Sequence, residues 1–354
     1  MRISRRGAIG IAISVGLLWW TLRDVAFGEL WHVLQGSNAV WWGCAIVAAT
    51  GTFPLRALRW RLILDPVAPG IPLGALWRST AIGMMVNNLV PARAGELARA
   101  LALTRETPRV GFAAAFASLA VDRVFDAVVI LLLLMIGIYD LPAAEASQVG
   151  NWVGGFTILM VAVIGALYLV VVFPARIIGL YEALARRVAP RFEARGRDLL
   201  FAFASGLSVL RSPRRFGAVL FWTTIHWLLN ALAFWFGFRA VGIDVSGFAT
   251  LVVQGLLAIG VAAPSSPGFF GIFEAVARVT LVEVYGIATP TALAWAFGYH
   301  ILTFIPITLI GLFYLGRIGM HLGDVSKVEA SSPTGEPGID DGDALEPSPP
   351  PPAR

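Results

Sequence analysis

Hydrophobic residues along this chain come in long unbroken runs, without the short alternation of a half-buried strand. A membrane span needs about 20 mostly apolar residues. Six stretches approach that length: 7–22, 38–55, 112–138, 151–173, 216–238 and 290–316. Two further apolar segments are interrupted, 74–106 by VNNLVPARAGE and 246–286 by AAPSSPGFFG. Pro91 and Gly95 mark the first break, and Pro264, Pro267, Gly268 and Gly271 the second. Such breaks free backbone groups that hydrocarbon cannot satisfy, so they are tolerated only inside protein or beside a water-filled cavity. The pattern predicts an all-α polytopic membrane protein with about six full spans plus two re-entrant helical hairpins. Pairs of short spans are the other arrangement compatible with it.

Composition agrees. The 354 residues are 57% hydrophobic and 14% charged, with a mean hydropathy of +0.76, whereas a soluble domain carries roughly 25% charged residues. A soluble enzyme is excluded. Lys327 is the only lysine, so the net charge of +5 is carried by arginines set between apolar runs. They read as topology signals and head-group contacts, not as a nucleic-acid surface. Cys44 is the only cysteine, and His32, His226, His300 and His321 lack ligand spacing. No metal site, cofactor or catalytic residue is expected.

Arginine placement orients the chain. The first apolar stretch follows MRISRRG without a small-residue cleavage site, so it reads as a retained helix with Arg2, Arg5 and Arg6 in the cytoplasm. Arg56, Arg59 and Arg61 then fall in a cytoplasmic segment, as do Arg105 and Arg109 and the nine arginines between 176 and 215. The loop with Asp140 and Glu145 lies outside. The chain is thus expected in a bacterial inner membrane with both termini cytoplasmic. An integral domain covers 1–322 and includes an arginine-rich cytoplasmic segment at 174–215. That segment, with Leu180, Leu184, Val188 and Phe192 between its arginines, reads equally as an amphipathic surface helix or as a solvated loop. Residues 323–354 are acidic and proline-rich and read as a disordered tail.

The two interrupted segments resemble one another. Both run A-I-G, a proline-bearing break, a glutamate, then an arginine about one turn later. Ala258 follows Ala81 by 177 positions, Glu274 follows Glu96 by 178 and Arg278 follows Arg99 by 179. The spans beginning at 38 and 112 recur 178 positions later at 216 and 290. The units, about 7–138 and 151–317, start on opposite sides of the membrane. That is an inverted-topology repeat, in which broken helices from both halves meet near the midplane and form the substrate site.

A charge inside a bilayer costs roughly 2.5–3.5 kcal/mol, so intramembrane ionisable residues mark partners or a cavity. If a helix starts after Pro91, Glu96 is bracketed by Arg93 and Arg99. Glu274 precedes Arg278 by four, a favourable ion-pair spacing. Helix N-termini after Pro91 and Pro267 would aim N–H groups at a phosphate. These pairs either hold a lipid head group or lock the hairpins. Asn87 and Asn88 either line the site or satisfy freed backbone. Ser265 and Ser266 read as helix caps. Asp122 and Asp126 share a helix face, and Arg123 is spaced to pair with Asp126. His300 occupies the repeat position equivalent to Asp122.

NNLVPARAGELARA, SLAVDRVFD, APSSPGFFGIFEA and FGYHILTFIP resemble the lysylphosphatidylglycerol synthase transmembrane family, also called flippase-like, over roughly residues 5–320. The resemblance implies the fold of the membrane half of the bacterial multiple-peptide-resistance factor, which moves aminoacylated phosphatidylglycerol between leaflets. It also implies that Arg93, Glu96, Asp122, Arg123 and Glu274 surround a lipid cavity. That two-part protein adds a soluble synthase domain. Only a short tail follows the last apolar run here, so no synthase activity is expected. The expected function is binding and translocation of an anionic, aminoacylated or polyprenyl-linked lipid, with a phosphate-bearing membrane lipid as partner. A lipid-binding scaffold for envelope-pathway proteins is the alternative. An enzyme acting on lipid phosphates is a third reading, against which the incomplete set of acid–base groups counts. No GxxxxGK[ST] nucleotide loop is present.

Overall fold

The computed structural model describes residues 5–90, 94–141, 173–188, 212–262, 266–321 and 323–324, with isolated positions between 154 and 201. Among the described residues every regular element is helical. In chain order they are α1 Arg5–Leu22, α2 Phe27–Gln35, α3 Ala39–Leu64, α4 Leu73–Leu89, α5 Gly95–Glu106, α6 Phe112–Ile138 and α7 Pro174–Val188. Then follow α8 Pro213–Ala240, α9 Gly247–Gly260, α10 Ile272–Arg278 and α11 Thr289–Arg317. A 3-10 turn, Pro267–Phe269, precedes α10, and a π-helical stretch, Val279–Val284, continues it.

Helix ends follow local chemistry. The Asn38 side chain accepts from the Val40 and Trp41 N–H groups to start α3, and Ser246 does the same for Ala249 in α9. Ser212 caps α8, with Pro213 at its first position, where a missing N–H costs nothing. By length and composition α8 and α11 are long and apolar enough to cross a membrane. α1 and α2, bent by 87° to one another, make a third if counted as one broken span. α3 and α6, at 26 and 27 residues, have a crossing length of about 40 Å but carry charges in mid-helix. The expected span at 151–173 lies outside the described residues but for isolated positions, and the tail beyond residue 324 lies outside them altogether. Of the arginine-rich segment, the part in α7 is helical, with Leu180 and Leu184 exposed.

Each interrupted segment folds back on itself. In the first, a Cβ placed on Gly95 would collide with the Gly83 carbonyl and the Asn87 side chain, so α4 and α5 approach backbone to backbone. In the second, Gly260 of α9 faces Val276 of α10 at similarly close range. Hydrocarbon supplies no hydrophobic drive between helices, and close approach at small residues is the usual source of helix association there. Among the described residues α5 begins at Gly95, and at the second break the α-helix begins at Ile272 and not directly after Pro267. In the second break the reason is visible: Gly268, Phe269 and Gly271 have φ of 65°, 64° and 91°, a left-handed region that a right-handed helix cannot include. Pro91 and Pro264 lie outside the described residues, while Pro267 opens the 3-10 turn.

The halves interlock reciprocally. α3 packs along α8; α4 rests on α11 and α9 on α6. Gly311 of α11 admits Met85 and the Ala81 carbonyl of α4, and Gly255 of α9 admits Leu134 of α6. The second break touches the end of α4. Gly268 lies against the Asn88 carbonyl, and Asn88 Nδ2 donates to Thr308 Oγ1 of α11 at 2.7 Å. Trp42, Phe234, Phe238 and Trp295 fill one side of the bundle, and Trp60, Leu64, Leu76 and Leu103 the other.

Replacing Gly95 with alanine forces α4 and α5 apart. Overpacking of this kind costs about 1–3 kcal/mol, and thermal unfolding of the detergent-solubilised protein is expected to register it as a lowered midpoint, larger than for Gly16→Ala, where nothing lies within 4 Å of the added carbon.

Candidate functional site

The bundle interior holds an ionic network that joins three helices. Arg59 of α3 lies between the two aspartates of α6, with Nε 2.6 Å from Asp122 Oδ1 and Nη1 2.6 Å from Asp126 Oδ1. One turn earlier, Arg56 Nη2 is 3.1 Å from Asp126 Oδ2. From α5, Arg99 Nη1 lies 3.4 Å from Asp122 Oδ2, with its guanidinium 4.1 Å over the Trp60 ring. Arg123 bonds Glu96 of α5 and lies 3.4 Å from Asp126, the predicted i, i+3 pair. Trp227 of α8 donates Nε1 to Asp126 Oδ1 at 2.9 Å, and its neighbour His226 has Nδ1 3.0 Å from the Thr52 carbonyl of α3.

Two structural gradients run through this network. Arg59, Asp122 and Arg99 have side chains at most 1% exposed, whereas Glu96 is 25% and Arg123 42% exposed. The Glu96–Arg123 pair is therefore the open edge of a closed core, next to the first break. Among the described residues four guanidinium groups (Arg56, Arg59, Arg99, Arg123) face three carboxylates (Glu96, Asp122, Asp126), which leaves one positive charge in excess. Nε of Arg56 and both Nε and Nη2 of Arg99 have no acceptor among the described residues.

Several expectations change here. Arg56 and Arg59 are not loop residues marking the cytoplasm. α3 runs through them to Leu64, and both are buried; of the three arginines only Arg61 is exposed. The spacing signal existed, because arginines three apart complement aspartates four apart on a facing helix, but nothing in the sequence said which helix faces α6. Of the two arginines expected to bracket Glu96, Arg99 turns to Asp122, while Glu96 pairs with Arg123. Arg93 lies outside the described residues. Asn87 Oδ1 accepts the Gly95 N–H at 2.9 Å, so it satisfies freed backbone at the first break.

At the second break the expected Glu274–Arg278 pair does not form. Arg278 Nη1 donates to the Thr21 carbonyl at 2.6 Å and the Trp20 carbonyl at 3.3 Å, where it caps the end of α1. A cation suits a helix C-terminus, which gathers partial negative charge. Glu274 instead accepts the Gly271 N–H at 2.7 Å through Oε2 and meets His300 Nδ1 at 2.6 Å through Oε1. The start of α10, expected to receive a phosphate, is filled by the protein's own carboxylate. Ser266 turns its hydroxyl to the Phe270 carbonyl at 2.8 Å, while Ser265 lies outside the described residues. Glu274 and His300 are buried, so neither lines an open cavity.

Removing Arg59 takes from both buried aspartates their shortest ionic contact. Breaking a buried pair from one side costs about 3–5 kcal/mol, so Arg59→Ala is expected to be strongly destabilised or unfolded. Arg123→Ala, at the exposed edge, should cost far less. Chemical denaturation of both variants in mixed micelles checks the order, and equal losses would contradict the division into core and edge.

Comparison with known proteins agrees with this architecture. A UPF0104 membrane protein of Methanothermobacter thermautotrophicus is 26% identical over 345 residues, covering 90% of this chain and 95% of that protein. Glycosyltransferase AglD of Haloferax volcanii is 26% identical over 325 residues. That match takes in 83% of this chain but 52% of AglD, so the chain spans about half of that relative. The family model described as the lysylphosphatidylglycerol synthase TM region matches residues 7–311. Its match runs through α3, both hairpins and the ionic network, and the chain belongs to the lysylphosphatidylglycerol synthase transmembrane-region family.

Proposed function

We propose that this chain binds an anionic membrane lipid by its phosphate-bearing head group at the Glu96–Arg123 edge and passes it between leaflets. It does so as a flippase-like transporter and not as an enzyme. The observation that carries the reading is the excess positive charge of the buried network together with its opening beside the first break. A membrane interior cannot leave such a charge uncompensated, and a phosphodiester bound beside Arg123 supplies the missing anion.

The translocation half of the reading draws on organisation. Six spans and two re-entrant hairpins arranged as inverted repeats would set both breaks at mid-membrane, reachable from opposite sides. The reciprocal packing of α4 on α11 and α9 on α6, and the contact between Asn88 and Gly268, support it. In this arrangement the chain sits in a bacterial inner membrane with both termini in the cytoplasm. The names of the family, a lysylphosphatidylglycerol synthase TM region, and of glycosyltransferase AglD are compatible with a substrate whose head group is modified.

The test is to extract the protein into native nanodiscs and identify retained lipids by mass spectrometry, beside an Arg123→Gln, Glu96→Gln variant. One anionic class enriched by the wild type should fall about tenfold or more in the variant, since a charge-assisted hydrogen bond contributes about 1.5–3 kcal/mol. Bulk lipid in both samples would overturn the reading and favour a scaffold.

A further inference from the structure

The second break contains a pair of titratable side chains that the lipid site does not use. His300 of α11 and Glu274 of α10 are 8% and 0% exposed. His300 Nε2 lies 2.7 Å from the Gly268 carbonyl oxygen, and Nδ1 lies 2.6 Å from Glu274 Oε1. A carbonyl oxygen only accepts, so Nε2 carries a hydrogen. The Nδ1–Oε1 contact needs a hydrogen of its own, because a bare nitrogen lone pair facing a carboxylate oxygen at 2.6 Å is repulsive. Whether that hydrogen resides on an imidazolium or on a carboxylic acid, the pair shares one proton and is electrically neutral.

Among the described residues the surroundings offer nothing to replace it. Phe270 stacks on the imidazole at 4.4 Å, Phe273 lies at 4.5 Å and Phe304 of α11 at 6.4 Å. From α1 comes the Ser14 hydroxyl, bonded to the Ser266 N–H at 2.9 Å, and from α4 the Asn88 carbonyl against Gly268. Arg278, the charged residue of α10 closest in sequence, is committed to the carbonyls of Trp20 and Thr21. Release of the proton to water leaves a carboxylate and a neutral imidazole protonated on Nε2. That is a buried negative charge with no described cation against it, and two lone pairs forced together.

The pair also ties both ends of the break. His300 on α11 holds the Gly268 carbonyl, and Glu274 on α10 holds the Gly271 N–H. Between them Gly268, Phe269 and Gly271 sit at positive φ. If Glu274 and His300 separate, the turn is pulled from opposite sides at residues with low barriers to rearrangement.

We propose that Glu274 and His300 form a binding site for a single proton, and that releasing it opens the second break. Resting on the translocation reading, the consequence is that lipid passage is coupled to the movement of one proton through this pair. The Glu274 side chain then serves as the proton site, distinct from the cation-rich lipid site of the first half.

The experiment places a single cysteine at the break, Ser266→Cys with Cys44→Ala, in the full chain in nanodiscs. The rate of labelling by an impermeant maleimide is divided at each pH by that of the same protein unfolded, which removes the thiol's own titration. Between about pH 5 and pH 9, a range that brackets ordinary histidine titration, the normalised rate is expected to rise about tenfold per pH unit on the acid side, as a one-proton equilibrium demands. In Glu274→Gln the amide donates to Nδ1 and its oxygen accepts from Gly271, so the break stays closed and the rate stays low throughout. A flat wild-type curve overturns the proposal, as does a Glu274→Gln curve that rises like the wild type. Should Glu274→Gln not fold, the wild-type curve alone decides. Lipid retention on the same samples reports separately on translocation: a rising curve without lipid selectivity would sink that reading and leave the proton site standing.

Discussion

A charge can reside inside an apolar bundle only if another charge of opposite sign reaches it, and that requirement organises this molecule. Arg59 between Asp122 and Asp126 fixes how α3 docks on α6, because two bonds from one planar guanidinium to two carboxylates a helical turn apart allow little rotation or sliding. Arg99 and Glu96 then bring α5 to the same place, and Trp227 adds α8. Such a pair does little for net stability once desolvation is counted. Its effect is specificity: any other register of α3 against α6 strands charges in hydrocarbon.

The remaining architecture follows from how helices associate where water is absent. Close approach replaces the hydrophobic drive, and the contacts between helices fall at Gly83 and Gly95, at Gly255, and at Gly311, each receiving a neighbour where a side chain would otherwise stand. These contacts bring the end of α4 to the second break, with two polar centres nearby. One is rich in cations and open at Arg123. The other is neutral, closed, and joined to the backbone of the turn by Glu274 and His300. Under the proposed function the first centre holds a head group and the second times its passage.

Much of this was legible before any fold was known. Runs of apolar residues announce helices because a chain in lipid must satisfy its backbone internally. Proline and glycine clusters announce breaks, and intramembrane charges announce partners. The i, i+3 relation of Arg123 and Asp126, the shared face of Asp122 and Asp126, and the turn at Pro267, Gly268 and Gly271 are local properties that periodicity alone determines. So the sequence by itself determined the all-helical class, the position of the two interruptions and the family. Which charge meets which was decided only by tertiary structure. Arg56 and Arg59 read as loop arginines until α3 was seen to carry them past α6, sixty-odd residues on. Glu274 and Arg278 have the spacing of a helical pair, yet one turns to His300 and the other to the end of α1. The physical reason is that a buried charge is governed by whichever partner the packing brings within about 3 Å, and packing partners distant along the chain leave no mark on local spacing.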